Sequence, residues 1–212
     1  MSISRNIPRF PAVILSGGKS SRMGEPKALL PFGPARLIDH VAARIRPQVT
    51  AIALNANDPA ISLPDVTAFP DRFPDFSGPL AGIHAALMHV AGTYPDASHV
   101  MMQPVDSAFF PHDIVATLAA TLTGPDDVAL AASGGRIHPV LGLWPVTLAG
   151  RLGTWLENPP TLKVRAFLDG LPVRITEFPF IDTPLGPLDP FSNINTRDDL
   201  DRARKILEVV GN

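Results

Sequence analysis

The chain of 212 residues contains no cysteine and no excess of charge of either sign. The absence of cysteine excludes disulfide bonds, zinc–thiolate sites and thiol nucleophiles, so any metal ion must be held by oxygen ligands. With 18 Lys and Arg against 20 Asp and Glu, the formal net charge is −2. Such a chain offers no broad basic field, and we expect neither nucleic acid nor a membrane as a partner. Any phosphate ligand must be bound locally.

Long hydrophobic runs are also absent. The first run, Ala12–Leu15, follows Arg5 and Arg9 and is too short for a signal sequence, and no later run approaches membrane-spanning length. We therefore expect a cytoplasmic location. Because 45% of the residues are hydrophobic, the chain can bury a sizeable core, and we expect a single domain over residues 1–212.

The sequence instead contains short apolar runs separated by helical patterns. Six runs have the length of buried strands, at residues 12–15, 50–54, 66–69, 99–102, 128–132 and 140–144. Because the runs do not alternate apolar with polar residues, both faces of the sheet should be covered. The pattern predicts an α/β fold with a single doubly wound, mostly parallel sheet and helices on both faces. Ligands bind such sheets beyond the carboxyl ends of the strands.

Three of the intervening helices have recognisable beginnings. Gly78-Pro79 opens one, because proline suits the first helical turn. Pro111 opens another, and Asn195 or Thr196 is the expected N-cap of the last. These positions mark the loops that should carry the chemistry.

A segment rich in glycine and basic residues follows the first run, up to Lys27. Its glycines can bring backbone N–H groups close to a phosphate chain, while Lys19, Arg22 and Lys27 add positive charge. The segment matches neither the P-loop nor the G-x-G-x-x-G template of dinucleotide-binding proteins. A solvated turn would have a similar composition, but the position after the first strand favours a triphosphate site.

The succession Leu15-Ser16-Gly17-Gly18-x-Ser20-Ser21-Arg22-Met23-Gly24-x-x-Lys27 resembles the signature of nucleotidyltransferases that make activated sugars, alcohols and cofactors. Within that superfamily, the chain looks most like the molybdenum cofactor guanylyltransferases. The resemblance extends along nearly the whole chain, through residues 54–57, 70–71, 77–83, 104–106 and 193–196. This succession is far more specific than any one of its parts.

The resemblance implies a magnesium-dependent enzyme, and Asp106 is the candidate metal ligand. Asp106 follows the fourth run, so its carboxylate should project at the ligand-binding edge, and Mg²⁺ usually takes only one or two protein carboxylates. A turn or N-cap aspartate is the alternative. Lys27 matches the family lysine on the triphosphate, where it would neutralise charge on the pyrophosphate leaving group, and Arg22 would share that task.

The resemblance also implies further contacts with the nucleotide. Asn55 and Asp71 match residues at the guanine base and ribose, although either could be a turn former. The glycines Gly78 and Gly82 would let the nucleotide lie close, or the segment would simply begin a helix. Asn193 and Asn195 would lie near the metal and pterin, although Asn195 could instead cap the last helix. The predicted nucleotide- and metal-binding set is Leu15, Ser16, Gly17, Gly18, Lys27, Asn55, Asp71, Gly78, Asp106, Asn193 and Asn195.

The reaction implied by the resemblance is transfer of GMP from GTP to the terminal phosphate of molybdenum-bearing molybdopterin, with release of pyrophosphate. The segment Arg136-Ile137-His138-Pro139 would lie near the pterin, or would place a histidine without a chemical role at a strand edge. A molybdoenzyme or its chaperone is the implied protein partner. Three alternatives stay open: cytidylyl transfer to the same pterin, transfer to a sugar or alcohol phosphate, and a non-catalytic nucleotide-binding adaptor.

Overall fold

A computed structural model of the chain describes residues 10–17, 25–73 and 78–211. The strands in these ranges are β1 (Ala12–Leu15), β2 (Pro31–Phe32), β3 (Ala35–Arg36), β4 (Ile52–Asn55), β5 (Thr67–Phe69), β6 (His99–Pro104), β7 (Val128–Ser133), β8 (Arg136–Pro145) and β9 (Val173–Glu177). The α-helices are α1 (Leu37–Ile45), α2 (Pro79–Thr93), α3 (Ile114–Ala119), α4 (Leu148–Glu157), α5 (Val164–Leu168) and α6 (Arg197–Val210). None of these helices is both long and apolar enough to cross a membrane.

Seven strands form one sheet in the order β5-β4-β1-β6-β8-β7-β9, and β2 and β3 form a separate hairpin. Only β8 runs antiparallel to its neighbours in the seven-stranded sheet, and the other pairings are parallel. The predicted α/β fold with a mostly parallel sheet is confirmed. Because β4 and β6 lie on opposite sides of β1, the strand order reverses there. The carboxyl ends of these three strands border the crevice in which such sheets bind ligands.

The two faces of the sheet are covered by different helices. On β1, Ala12 and Ile14 belong to a buried cluster with α1 and α3, whereas Val13 and Leu15 belong to a second cluster with α2, α4 and α5. A strand that is buried on both faces has no polar face to show, which is why this run lacks alternation. A third cluster packs α6 against the β2–β3 hairpin.

The ends of several elements differ from the sequence prediction. The run at 140–144 is the second half of the longer strand β8, and the helix predicted to open at Pro111 is the short α3. Thr196, rather than Asn195, is the N-cap of α6, because the Thr196 side chain accepts a hydrogen bond from the Asp199 N–H at 3.1 Å. The side chain of Asn195 is therefore not the cap of this helix.

Asp127, immediately before β7, joins two parts of the fold through its buried carboxylate. Its Oδ2 accepts hydrogen bonds from Thr123 N at 2.7 Å, Thr123 Oγ1 at 2.8 Å and Gly124 N at 3.1 Å. Arg174 of β9 donates to the same oxygen at 3.2 Å. These hydrogen bonds, led by the one from the Thr123 backbone, hold the pKa of Asp127 far below its ordinary value.

Asp127→Asn should lower the thermal unfolding midpoint by several degrees at pH 7. A carboxyl whose pKa is lower in the folded chain stabilises the fold above its unfolded pKa, about 3.8, and this contribution is lost as the pH falls towards the folded value. Thermal unfolding followed by circular dichroism between pH 7 and pH 3 should show the midpoints of the variant and the unaltered chain approaching each other below about pH 4. Asp126→Asn, at an exposed carboxylate, is the matched control, and a constant difference across the range would contradict the assignment.

Candidate active site

Three segments that are distant in the sequence meet at Lys27. Its Nζ donates to Asn195 Oδ1 at 2.6 Å and lies 3.3 Å from Asp106 Oδ2. Asp106 follows β6, Lys27 begins a short 3-10 helix (Lys27–Leu29), and Asn195 lies just before α6. The side chains of Lys27 and Asp106 are 20% and 23% exposed, so both can reach a ligand in the crevice. The structure thus brings together three residues that the sequence predicted for one site.

The segment before α6 is fixed against the loop after β6. Ile194 N donates to the backbone oxygen of Asp106 at 2.9 Å. Ser107 pairs with Asn193 in an isolated bridge, and the Ser107 hydroxyl donates to Asn193 Oδ1 at 3.0 Å. These contacts set the distance between Asn195 and Lys27.

Asp199 in the first turn of α6 adds negative charge close to this segment. Burial raises the pKa of Asp199, but hydrogen bonds from the backbone N–H groups of Asn195 and Thr196 and from the Thr196 side chain, together with the charge of Lys27, leave its pKa below the ordinary value. The Asn195 and Thr196 bonds measure 3.0 and 2.8 Å. The carboxylate therefore stays ionised and holds the backbone of both residues at the helix start.

A second polar group lies at the ends of β4 and β5. Asn55, which is 1% exposed, donates from Nδ2 to Asp71 Oδ1 at 2.9 Å and to the Phe69 carbonyl at 3.3 Å. Asn57 donates to the other Asp71 oxygen at 2.8 Å and accepts from the Asp71 N–H at 2.7 Å. Asn55 is therefore the buried support, while the half-buried Asp71 presents a carboxylate with remaining lone pairs.

Helix α2 approaches this group through Gly82. A Cβ atom at position 82 would lie 2.9 Å from Asn55 Oδ1 and 3.7 Å from Asp71 Oδ1. Because Asn55 is held by two hydrogen bonds, its amide has little freedom to move away. The absence of a side chain at Gly82 thus preserves the positions of Asn55 and Asp71.

Gly82→Ala should raise the KM for the nucleotide by about tenfold, since inserting a methyl group into a packed site costs ~1–3 kcal/mol. The thermal midpoint should fall by only a few degrees, because the higher helix propensity of alanine, about 1 kcal/mol, partly offsets the cost of overpacking. Steady-state kinetics with the purified variant test this. Gly92→Ala in the same helix is the matched control, as a Cβ atom there meets no other atom within 4 Å. Equal KM values in the two variants would remove Gly82 from the site.

The remaining predicted residues lie along the same edge. Leu15 ends β1, and its carbonyl accepts a hydrogen bond from Val105 N at 3.0 Å, while Ser16 N donates to the Asn55 carbonyl at 2.9 Å. Gly17 follows with open space at the position of a Cβ atom. Gly78 is the N-cap of α2. Gly18 and Arg22 lie outside the described residues.

The donor set at this edge fits magnesium. Among the described residues, no group of three or more His, Asp or Glu side chains could hold a metal ion. Magnesium needs no such cluster, because it takes one or two carboxylates and completes its shell with water and phosphate oxygens. Asp106, a half-buried carboxylate at this edge, is of the kind that such a site requires.

Sequence reasoning missed several residues of this region. Ser107 orients Asn193 through a side chain that has no distinctive pattern in the sequence. Asn57 lies in the stretch 54–57 that carries the resemblance, but its contact with Asp71 was not predicted. His138, placed by the sequence near the pterin or at a strand edge, is 9% exposed and lies 2.8 Å from Ser133 Oγ. Such contacts depend on the pairing of β7 with β8, which the order of the runs does not specify.

Comparisons with known proteins agree with the fold and show the family. Residues 12–174 match the model of the family described as MobA-like NTP transferase domain. The chain is 48% identical over 198 residues to a molybdenum cofactor guanylyltransferase of Rhizobium leguminosarum bv. trifolii, with 93% of each protein covered. It is 46% identical over 196 residues to the enzyme of the same name from Rhizobium meliloti, with 91% of this chain and 89% of the relative covered.

A solved structure gives the same result for the fold. The molybdopterin-guanine dinucleotide biosynthesis protein A of Archaeoglobus fulgidus superposes with a TM-score of 0.70 at 21% identity, covering 94% of this chain and 99% of the other. At this identity the likeness concerns the fold alone. The coverage and identity of the curated relatives carry the assignment further. The chain belongs to the molybdenum cofactor guanylyltransferase family, within the MobA-like NTP transferase domain family.

Proposed function

We propose that this chain transfers GMP from GTP to the terminal phosphate of molybdenum-bearing molybdopterin, giving the guanine dinucleotide form of the cofactor and pyrophosphate. The observation that carries the proposal is the meeting of Lys27, Asp106 and Asn195 at the ligand-binding edge of the sheet. A cation and a metal-binding carboxylate at one point suit a triphosphate bound as its magnesium complex. The names of the relatives supply the substrates.

The reaction is an in-line displacement at the α-phosphorus of GTP. An oxygen of the pterin phosphate forms the new P–O bond as the bond to pyrophosphate breaks. The attacking phosphate is already anionic, so the protein needs neither a nucleophile nor a general base of its own. Catalysis of this kind rests on positioning and on neutralising the charge that develops.

Lys27 and Asp106 divide the work of charge neutralisation. Lys27 would place its ammonium group on the triphosphate, where negative charge grows on the leaving group. Asp106 would hold Mg²⁺, which when bound acts as a Lewis acid on phosphate oxygens. Lys27 Nζ lies 3.3 Å from Asp106 Oδ2. Nucleotide and metal would each take one member of this pair.

Recognition of the base falls to the group around Asp71. Guanine presents N–H donors on its Watson–Crick edge, and an ionised carboxylate is an acceptor only. Asp71 carries two amide donors, from Asn55 and Asn57, and retains lone pairs for a ligand. Because Asn55 would fix the position of the Asp71 carboxylate, the acceptor oxygens could discriminate among bases.

The test measures pyrophosphate release by the purified chain with Mg²⁺ and molybdenum-loaded molybdopterin, in separate reactions with GTP, CTP, ATP and UTP. Release with GTP, together with a guanine dinucleotide product identified by mass spectrometry, is the expected result. A reaction without the pterin controls for hydrolysis. Preference for CTP would replace guanylyl by cytidylyl transfer, and no release with any nucleotide would contradict the proposed reaction.

A further inference from the structure

A buried polar network lies at the carboxyl end of β7. The hydroxyl of Ser133, the last residue of this strand, lies 2.8 Å from His138 Nε2 and 2.7 Å from Asp189 Oδ1. Ser133 and His138 are 2% and 9% exposed. The network has the residue types of a nucleophilic triad, but its connections are different, because serine stands between histidine and aspartate.

The direction of the hydrogen bonds follows from the number of protons available. Ser133 has one hydroxyl proton, and it donates this proton to Asp189 Oδ1. His138 must then donate its Nε2–H to Ser133 Oγ. Burial lowers the pKa of His138, opposed by the charges of Asp189 and Glu177 and assisted by Arg136, so the ring is neutral near pH 7. Because Nε2 carries the proton, it has no free lone pair to accept the Ser133 proton. His138 therefore cannot activate Ser133 as a nucleophile.

The network instead holds one chain segment, residues 188–195. Asp189 Oδ1 also accepts the Phe191 N–H at 2.9 Å. The buried Phe191 ring packs against His138, with centroids 5.0 Å apart, and against Phe178 at 5.3 Å. His138 thus contacts this segment twice, through the relay to Asp189 and through its ring.

The other end of the same segment reaches the active site. Ile194 N donates a hydrogen bond to the backbone oxygen of Asp106, and Asn195 Oδ1 accepts one from Lys27 Nζ at 2.6 Å. Five residues separate Asp189 from Asn195, so the span between the two held ends of the segment is short. Asp189 thus contributes to the placement of Asn195, together with the contacts that Asn193 and Ile194 make with the loop after β6.

We propose that His138 is a positioning residue for GMP transfer, which sets the place of Asn195 on Lys27 by holding Asp189 and Phe191 through Ser133. This role rests on the proposed function. It predicts an effect on kcat rather than on nucleotide affinity, because the base-binding group at Asn55 and Asp71 lies at the ends of other strands, β4 and β5.

The test compares His138→Phe with His138→Gln. Phenylalanine keeps a ring against Phe191 but has no donor for Ser133, whereas the glutamine amide can donate from about the position of Nε2. We expect kcat of His138→Phe to fall by about ten- to a hundredfold, the effect of a small misplacement of catalytic groups, with KM for GTP nearly unchanged. His138→Gln should recover most of the rate. Residue-resolved hydrogen exchange should show faster exchange of the Phe191 and Ile194 amides in His138→Phe only.

His99→Phe is the matched control, since His99 is a buried histidine whose Nε2 contacts the Asp127 carbonyl at 3.0 Å, away from segment 188–195. At a temperature where all variants are folded, its kcat should equal that of the unaltered chain. Full kcat in His138→Phe, or an equal loss in both His138 variants, would overturn the proposal. If the unaltered chain transfers no GMP, the proposed function fails. Unchanged exchange of the Phe191 and Ile194 amides in His138→Phe would separately show that His138 does not hold segment 188–195.

Discussion

Asp106→Asn will reduce the rate of GMP transfer by about a thousandfold, because a metal ion on this carboxylate contributes several kcal/mol to stabilising the transition-state charge. Asparagine has nearly the same shape but no charge, so the contact with Mg²⁺ is weakened without a cavity. The fold should survive, because the backbone oxygen of Asp106, not its side chain, holds Ile194. The loss should therefore appear in turnover and in metal binding, not in stability.

The measurement combines initial rates over a range of Mg²⁺ concentrations with the thermal midpoint. Asp113→Asn is the matched control, because Asp113 is an exposed carboxylate in the loop between the same strand and α3. The control should retain the unaltered rate and metal dependence. A rate for Asp106→Asn within about twofold of the control would contradict both the metal role and the alignment of residue 106 with the reacting phosphates.

The sequence predicts the strands well where every residue of a strand is buried. The runs at 12–15 and 128–132 are strands buried on both faces, and their apolar character alone identifies them. The edge strand β9 was not predicted, because Val173, Ile175 and Thr176 are mixed with the charged Arg174 and Glu177, a pattern typical of half-exposed segments. The β2–β3 hairpin is too short to give a period at all.

The candidate site was predicted through the resemblance, and its contacts came only from the structure. Lys27 and Asn195 are 168 positions apart, and no local pattern indicates that their side chains meet at 2.6 Å. The contact of Gly82 with Asn55 was equally hidden, because no pattern in the sequence places Asn55 beside the start of this helix. What the sequence could not supply was the pairing of side chains across strands that are distant in the chain.

Lys27→Met should change nucleotide transfer and metal affinity in opposite directions. Without its ammonium group, the charge on the leaving pyrophosphate is less neutralised, and kcat/KM for GTP should fall by about a hundredfold or more. The ammonium group, however, also lies 3.3 Å from Asp106 Oδ2, where it would compete with a metal ion for the carboxylate. Removing this like charge should tighten binding of Mn²⁺ by about tenfold, since one neighbouring charge shifts such an equilibrium by about one or more powers of ten.

Isothermal titration with Mn²⁺ alone and kinetics with GTP measure the two effects on the same sample. Lys205→Met, at an exposed lysine of α6, is the matched control and should alter neither. The double variant Lys27→Met with Asp106→Asn should lose the gain in Mn²⁺ affinity, because the gain depends on the carboxylate that the lysine faces. Weaker metal binding in Lys27→Met alone would show that the lysine supports the metal site instead of competing with the metal for the Asp106 carboxylate.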